Sequence, residues 1–369
     1  MRAAVLRGGD IVAAEVPEPV AGPGQLLVAP LAAGVCGSDL SAWQHTDDFL
    51  VAHREADAPE EVFDPDRDLV LGHEFTARVV ELGAGVTGYR PGELLVALPW
   101  IRTADGSTHT VGYTDSSPGA LAERTVIQSG GHLKIPAGVD PITAAVTEPL
   151  ATGVNAVLRS GARDTATALV TGCGPVGLGA IIELKQRGIR SIVASDPSAV
   201  RRELALAYGA HVAVDPTADS AVEVLRYHHG GAETFVYEAS GAPGILGDLL
   251  STAPKYTRVM VVGSAMRPET IRPVAGILRN TSLEFVGGPG RTESSYTALE
   301  RVFEHLVRRR FDPALMVTGY AGLDAAADVF AALRPGAGNA IEHVKILIRN
   351  DLPDGGGIIP ARQAPPRTR

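Results

Sequence analysis

The sequence predicts a two-domain protein: a β-rich N-terminal domain followed by an α/β domain with a doubly wound parallel sheet. Three observations carry this. A chain of 369 residues is long for one hydrophobic core and points to roughly two domains. The first part of the chain holds short apolar runs separated by Gly- and Pro-containing turns. From Thr167 onward, apolar strands alternate with segments of helical length, and parallel neighbours need such long crossovers.

Bulk composition narrows the class. The chain is 45% hydrophobic and 20% charged, the balance of a globular protein and not of a disordered one. A formal net charge of -9 disfavours nucleic acid as a partner, because phosphate binding needs a basic face. The basic cluster Arg308, Arg309 and Arg310 follows a helical stretch at 294–307, where positive charge suits the helix C-terminus. It reads as a solvated helix end. Two cysteines, Cys36 and Cys173, an N-terminus that alternates like a strand, and no long apolar run together predict a cytoplasmic protein with reduced thiols and no membrane partner.

In chain order, strands are expected at 25–30, 75–82 and 93–98, bounded by turns such as AGPG and RPGE. The polar segment 45–68 has no clear period and reads as a loop or short helix. The α/β part offers strands at 168–171, 191–195, 211–214, 234–238, 258–263 and 283–286. Helical segments fall between them at 176–187, 199–208, 220–228, 245–253 and 274–279. A helix near 323–333 and an apolar closing strand at 344–348 follow, and the Gly-, Pro- and Arg-rich tail 351–369 is expected to be disordered.

The segment ALVTGCGPVG joins the first of these strands to the first helix. Gly172, Gly174 and Gly177 match G-x-G-x-x-G, with Pro175 and Val176 between the last two. The first glycine permits the tight turn, the second lets backbone approach a pyrophosphate, and the third lets helix meet strand. The free N–H groups of the helix start then face the anion. Asp196 ends the next strand, 19 residues after Gly177, close to the spacing of an acid that binds ribose hydroxyls. Such a carboxylate repels a 2′-phosphate, so the expected cofactor is NAD and not NADP. Arg201 or Arg202 is placed to face the adenosine edge, and Arg201 is the candidate taken forward.

Upstream, GVCGSDL carries Cys36, LVLGHEF carries His73 and Glu74, and VTEPL carries Glu148. None has the local spacing of a zinc finger. Thiolate, imidazole and carboxylate can nonetheless hold zinc tetrahedrally with one position open. Taken alone, Cys36 is more commonly an inert buried thiol and His73 a satisfied core histidine.

The order GVCGSDL, GHEF, EPL, GCGPVG resembles the medium-chain, zinc-dependent alcohol and polyol dehydrogenases, most closely their sorbitol, threonine and glucose dehydrogenase branch. The resemblance runs from the first strand to the closing VKILI. It implies a GroES-like catalytic domain at 1–152, a Rossmann domain at 153–289 and a return to the catalytic domain at 290–350. It also implies that Cys36 and His73 ligate a catalytic zinc, that Glu74 ligates directly or stands behind, and that Glu148 is the third ligand or its alternate. Ser38 matches the hydroxyl that meets the substrate oxygen, and Asp39 a structural ion pair. Zinc then acts as Lewis acid on an alcohol, Ser38 accepts its proton, and hydride passes to the nicotinamide. The implied partners are a small alcohol or carbonyl substrate and further copies of the chain, as homodimer or homotetramer.

The sequence departs from the family in three places. Many relatives have a proton-relay histidine where Ser41 stands, so the relay is left to water or to His45. The stretch 96–125 contains no cysteine, so one catalytic zinc and no structural zinc are expected. Cys36 and His73 are 37 residues apart, longer than in sorbitol-type relatives. The extra length at 47–68 holds Phe49, Phe63 and several acids. Trp43 and Trp100 are candidates either for a pocket wall or for packing. The expected substrate is a secondary alcohol or polyol. Two other readings stay open: a zinc-free, NADPH-dependent quinone or enone reductase of the same fold, and a non-enzymatic dinucleotide-binding protein. Cys36, His73, Glu148 and Asp196 argue against the first of these.

Overall fold

The structure is a computed structural model that describes the whole chain except residues 59–61, 104, 116, 289–292, 335–342 and 364–369. It divides into two units, Met1–Glu148 with Pro313–Arg369, and Pro149–Asp312.

The chain opens with β1 (Arg2–Arg7) and β2 (Asp10–Glu15), an antiparallel pair in unbroken register from Arg2↔Glu15 to Arg7↔Asp10. The turn between them uses Gly8 and Gly9, both at positive φ. Then come β3 (Gln25–Gly34), α1 (Gly37–Gln44), α2 (Thr46–Glu55), β4 (Leu69–Val70) and β5 (Glu74–Leu82). Strands β6 (Leu94–Val96), β7 (Trp100–Arg102), β8 (Thr108–Thr110), β9 (Thr125–Gln128) and β10 (Leu133–Lys134) complete the N-terminal run. The segment expected as loop or short helix is α2, with Phe49 and Leu50 buried on one side.

Helix α3 (Thr147–Ser160) leads into the alternating part: β11 (Thr167–Thr171), α4 (Pro175–Gln186), β12 (Ser191–Ser195), α5 (Ala199–Tyr208), β13 (Val212–Val214) and α6 (Ala221–His229). It continues with β14 (Thr234–Glu238), α7 (Ile245–Thr252), β15 (Arg258–Val261), α8 (Pro273–Arg279), β16 (Ser282–Phe285) and α9 (Glu293–Val307). The six strands form one parallel sheet in the order β13-β12-β11-β14-β15-β16. The order reverses beside β11, the switch point at which open α/β sheets bind ligands. All residues of β11, β12 and β14 are buried, as strands covered by helices on both faces must be. The doubly wound parallel sheet and the β-rich N-terminal part therefore stand as the sequence predicts.

The last segment holds β17 (Val317–Ala321), α10 (Ala326–Leu333), β18 (Lys345–Ile348) and β19 (Ile359–Pro360). Strand β18 pairs antiparallel with β3 and parallel with β17. The sheet of the first unit thus runs β10-β6-β5-β3-β18-β17-β19, with β9 also on β3. Both ends of the chain are needed to build it.

Two expected boundaries move, the first to Glu148 from 152. The return to the first unit comes at Pro313, not at 290, and the expected break at 289 lies outside the described residues. Helix α9 stays with the second unit because His305 and Arg301 reach the buried Glu183 of α4, His305 Nε2 at 2.8 Å. The tail is also more ordered than its composition suggests. Ile359 pairs with Tyr320 in β17, and Asp354 receives two hydrogen bonds from Arg2. The apolar Ile358–Ile359 pair supplies a strand that the Gly-rich context conceals. Residues 364–369 of that tail lie outside the described residues.

One buried histidine makes the first unit sensitive to acid. His132 Nδ1 accepts from the Leu98 N–H at 3.0 Å, and Nε2 lies 2.7 Å from the Gln128 carbonyl. The ring is therefore neutral, and burial lowers its pKa from 6.5 to about 4. Between these values the unfolded chain binds a proton that the folded chain refuses, so stability falls as pH falls through the window, by about 3 kcal/mol. Urea unfolding at pH 7, 5.5 and 4 should show this loss, and His132→Gln should lose less stability than the parent over the same range.

Candidate functional site

The candidate metal centre forms where β3 and β5 end together. Their antiparallel register sets Gly34 opposite Glu74, and on its other side Gly34 faces Leu347 of β18. Gly34 has no side chain, and a Cβ there would lie 2.5 Å from Glu74 Oε2 and 3.2 Å from Lys345 Cδ. The space over the central strand is instead filled by the Lys345–Glu74 ion pair, Nζ to Oε2 at 2.5 Å. Lys345 Nζ also donates to the Val35 carbonyl at 3.0 Å. Two residues beyond Gly34, Cys36 caps the start of α1 in extended conformation.

Cys36, His73 and Glu74 each present a ligand atom within 4.8 Å of the other two. His73 and Glu74 are buried and Cys36 is half-buried. His73 Nδ1 lies 3.3 Å from Asp39 Oδ1, yet it has no partner in hydrogen-bond geometry. That nitrogen faces the Asp39 carboxylate, and the thiol, imidazole and carboxylate gathered here are a donor set that suits zinc. Glu148 is buried but is not part of this three-residue cluster. The sequence left the two glutamates open; the geometry groups Glu74 with the thiol and the imidazole.

Burial and mutual charge shift the pKa values of these groups. Burial raises the Cys36 thiol pKa, Glu74 adds to the rise, and His73 opposes it. For His73, burial pulls downward, but the charge and contact of Asp39 and of Cys36 outweigh it, and the net shift is well above the ordinary value. Asp39 is raised by burial and lowered more by His73, by the Cys36 N–H and by Tyr113. Glu148 is pushed up to about 8, chiefly by burial, with His73 opposing and Glu74 reinforcing.

The remaining candidates sort by what they touch. Asp39 is fully buried, accepts from the Cys36 N–H at 2.9 Å and faces His73, in keeping with a structural role. Ser38 is half-buried, and the Tyr113 hydroxyl donates to its Oγ at 2.9 Å. Ser41 turns back to the Gly37 carbonyl of its own helix. His45 is exposed at the junction of α1 and α2. Trp43 donates to the Gly9 carbonyl and meets Phe330 edge-on at 5.6 Å. Trp100 donates to the Gly130 carbonyl. Both tryptophans serve packing. Sequence reasoning missed Lys345 and Tyr113. A lysine inside the apolar run VKILI was a signal of a buried partner. Tyr113 offered none, since it lies in a Gly-, Ser- and Asp-rich stretch.

In the second unit the glycine loop behaves residue by residue as its motif requires. Gly172 has φ +84°, and a Cβ there would lie 2.8 Å from the Ser240 backbone. A Cβ on Gly177 would overlap the Gly172 carbonyl, whereas one on Gly174 would meet nothing within 4 Å. The second glycine thus leaves open space at the start of α4, whose first residues are Pro175 and Val176. Asp196 is buried, and its two oxygens accept from the Cys173 and Ser198 N–H groups, each at 2.8 Å. It fixes the loop while each oxygen keeps further acceptor capacity. Arg202 donates to the Asp196 and Pro197 carbonyls and pairs with Asp215 at 3.1 Å, so it is a structural clamp. Ser198 caps α5, its Oγ accepting from the Arg201 backbone N–H at 3.3 Å. Burial pushes the Cys173 thiol up to about 12, which makes it a space-filler and not a redox thiol.

Comparison with known proteins gives a consistent set of matches. The Zinc-binding dehydrogenase model matches residues 175–304, and the Alcohol dehydrogenase GroES-like domain model matches 22–137. L-threonine 3-dehydrogenase of Pyrococcus abyssi is 30% identical over 267 residues, 69% of this chain and 72% of that protein. Sorbitol dehydrogenase of Gallus gallus is 26% identical over 366 residues, 95% and 96% of the two chains. The crystal structure of 2R,3R-butanediol dehydrogenase from Bacillus subtilis superposes with a TM-score of 0.77 at 25% identity, covering 94% of this chain and 99% of that one.

The loop geometry separates two roles that one motif combines. Gly177→Ala should cost about 1–3 kcal/mol of stability through its backbone clash, read by chemical unfolding. Gly174→Ala should leave stability within about 0.5 kcal/mol and weaken dinucleotide binding about tenfold or more, read by fluorescence titration with NADH; equal effects of the two variants on unfolding would contradict the assignment.

Proposed function

The chain belongs to the medium-chain zinc-binding dehydrogenase family, and on that premise we propose that it moves hydride between NAD(H) and a secondary alcohol or polyol, or the matching carbonyl. The observation that carries this reading is the convergence of Cys36, His73 and Glu74 within 4.8 Å in a chain whose other unit has an open glycine loop. The three residues would hold one zinc, with Glu74 as the carboxylate ligand. Glu148, buried and near enough for His73 and Glu74 to shift its pKa, remains the alternate. With no cysteine in 96–125, a four-thiolate structural zinc has no ligands, and one metal per chain is the expected content.

When bound, zinc supplies Lewis acidity to an alcohol oxygen and the nicotinamide takes up hydride. The chain's own residues do the rest. Lys345 offsets the charge of Glu74 in the interior, so the cluster is less anionic than its donors alone. Asp39 faces the ring of His73 and orients it. Ser38 offers the hydroxyl that meets the substrate oxygen and its proton. Gly172, Gly174 and Gly177, with the start of α4 at Pro175 and Val176, receive the pyrophosphate. Asp196 accepts from the ribose hydroxyls and disfavours a 2′-phosphate, and Arg201 faces the adenosine. Onward transfer of the proton is left to water or to the exposed His45, since Ser41 is turned into its own helix. The buried donor set argues against the zinc-free quinone or enone reductase and against a merely dinucleotide-binding role.

The partner surface follows from the second unit. Strand β16 is an edge of the six-stranded sheet, and its Phe285, with Ile277 and Leu278 of the preceding helix, is about two-thirds exposed. An uncovered apolar edge favours pairing with another chain, and a second copy of this chain is the occupant proposed. Among the described residues no helix is long and apolar enough to cross a membrane.

Two experiments test these readings. Metal analysis of the purified protein should give one zinc per chain, and an alcohol screen followed by NADH absorbance should find activity that chelation abolishes. Cys36→Ser should lose the zinc and more than about a hundredfold of kcat/KM. A metal-free parent whose activity survives chelation would sink the proposal. Sedimentation should find a dimer or tetramer, and Phe285→Asp should shift it toward the monomer without loss of secondary structure.

A further inference from the structure

Phe49 and Phe63, from the segment between Cys36 and His73, and the loop residue Tyr113 have no part in the function derived so far. Phe49 of α2 is fully buried and meets Tyr113 at 5.3 Å between ring centroids, Phe63 at 5.9 Å and His53 at 4.0 Å. On another side Tyr113 lies 5.4 Å from the ring of His73. This aromatic cluster leaves Tyr113 only 1% exposed and aims its hydroxyl at two acceptors, Ser38 Oγ at 2.9 Å and Asp39 Oδ1 at 3.0 Å. A phenol has one proton, so both acceptors share it. Asp39 is itself anchored by the Cys36 N–H at 2.9 Å, so the hydroxyl sits at a fixed point.

We propose that Tyr113 is a positioning residue that, held by the ring of Phe49, donates to Ser38 Oγ and fixes the orientation in which Ser38 meets the substrate oxygen. This rests on the reading of Ser38 given above. A serine hydroxyl is a rotor with two acceptor lone pairs and one proton. With the Tyr113 proton on one lone pair, the other lone pair and the serine proton are directed away from the phenol. Ser38 is half-buried, so its free side is the side a substrate can reach. The chain of hydroxyls ends on a carboxylate already engaged by Cys36 N–H and facing His73, so Tyr113 orients the proton of Ser38 and does not carry it to solvent. No bond to Tyr113 forms or breaks. Holding a reacting hydroxyl in place in advance lowers the barrier without adding a new contact to the substrate.

The test is a double-mutant cycle of the zinc-loaded enzyme with Ser38→Ala, Tyr113→Phe and both, using NAD and the best alcohol from the screen. Phenylalanine keeps the ring in its cage. Tyr113→Phe should lower kcat about tenfold to a hundredfold, with KM and zinc content unchanged, and should add less than about twofold in the Ser38→Ala background. The same four proteins without zinc should show non-additive unfolding midpoints, a readout that needs no activity. Equal factors in both backgrounds, an unchanged kcat, or a Tyr113→Phe chain that fails to fold or to hold zinc would overturn the role of Tyr113. A parent chain that binds no zinc and oxidises no alcohol would overturn the reading of the site itself, a result visible before any variant is made.

Discussion

A buried carboxylate and a buried ammonium meet across the central strand of the first unit, and the rest of the candidate site is arranged around them. Glu74 on β5 and Lys345 on β18 are separated by β3, and they reach each other because the β3 residue between them is Gly34. Removing one partner of such a pair leaves an uncompensated charge in the interior, which costs about 3–5 kcal/mol. The pair therefore ties three strands into one register, and register places Cys36, His73 and Glu74 together. It also ties the chain's distant parts, since Lys345 arrives from the return segment. A metal centre of this kind needs a complete sheet before it has a shape.

The second unit solves a different problem by backbone alone. Its loop must turn, stay thin and present free N–H groups to an anion. Gly172 turns, Gly177 lets α4 lie against the turn, and Gly174 leaves space. Asp196 holds the loop from the next strand through the Cys173 N–H. The acid thus has a structural role as well as the ribose-binding one proposed for it, and the two are compatible because a carboxylate has more acceptor sites than two backbone bonds consume.

Three separate parts of the chain meet near Ser38. Ser41 is turned into its own helix, and the cysteine-free 96–125 stretch carries Tyr113. The segment between Cys36 and His73 supplies Phe49, which packs on that tyrosine, and Phe63, which packs on Phe49.

Much of this was legible in the residues. Period, glycine spacing and turn chemistry are local properties, so the six strands of the parallel sheet, the loop at Gly172 to Gly177 and the acid at Asp196 could be read directly. So could the donor types Cys36, His73 and the two glutamates, although not which glutamate joins them. That choice depends on strand register, which brings Glu74 rather than Glu148 into the cluster. The assignment of α9 to the second unit and the strand in the tail likewise depend on long-range partners, Glu183 and Tyr320. Lys345 and Tyr113 show the limit most clearly. Each acts through a residue far away in sequence, and a contact between distant residues leaves no local period to read. The sequence by itself determined the chemistry available to this protein; tertiary structure decided which groups are close enough, and buried enough, to use it.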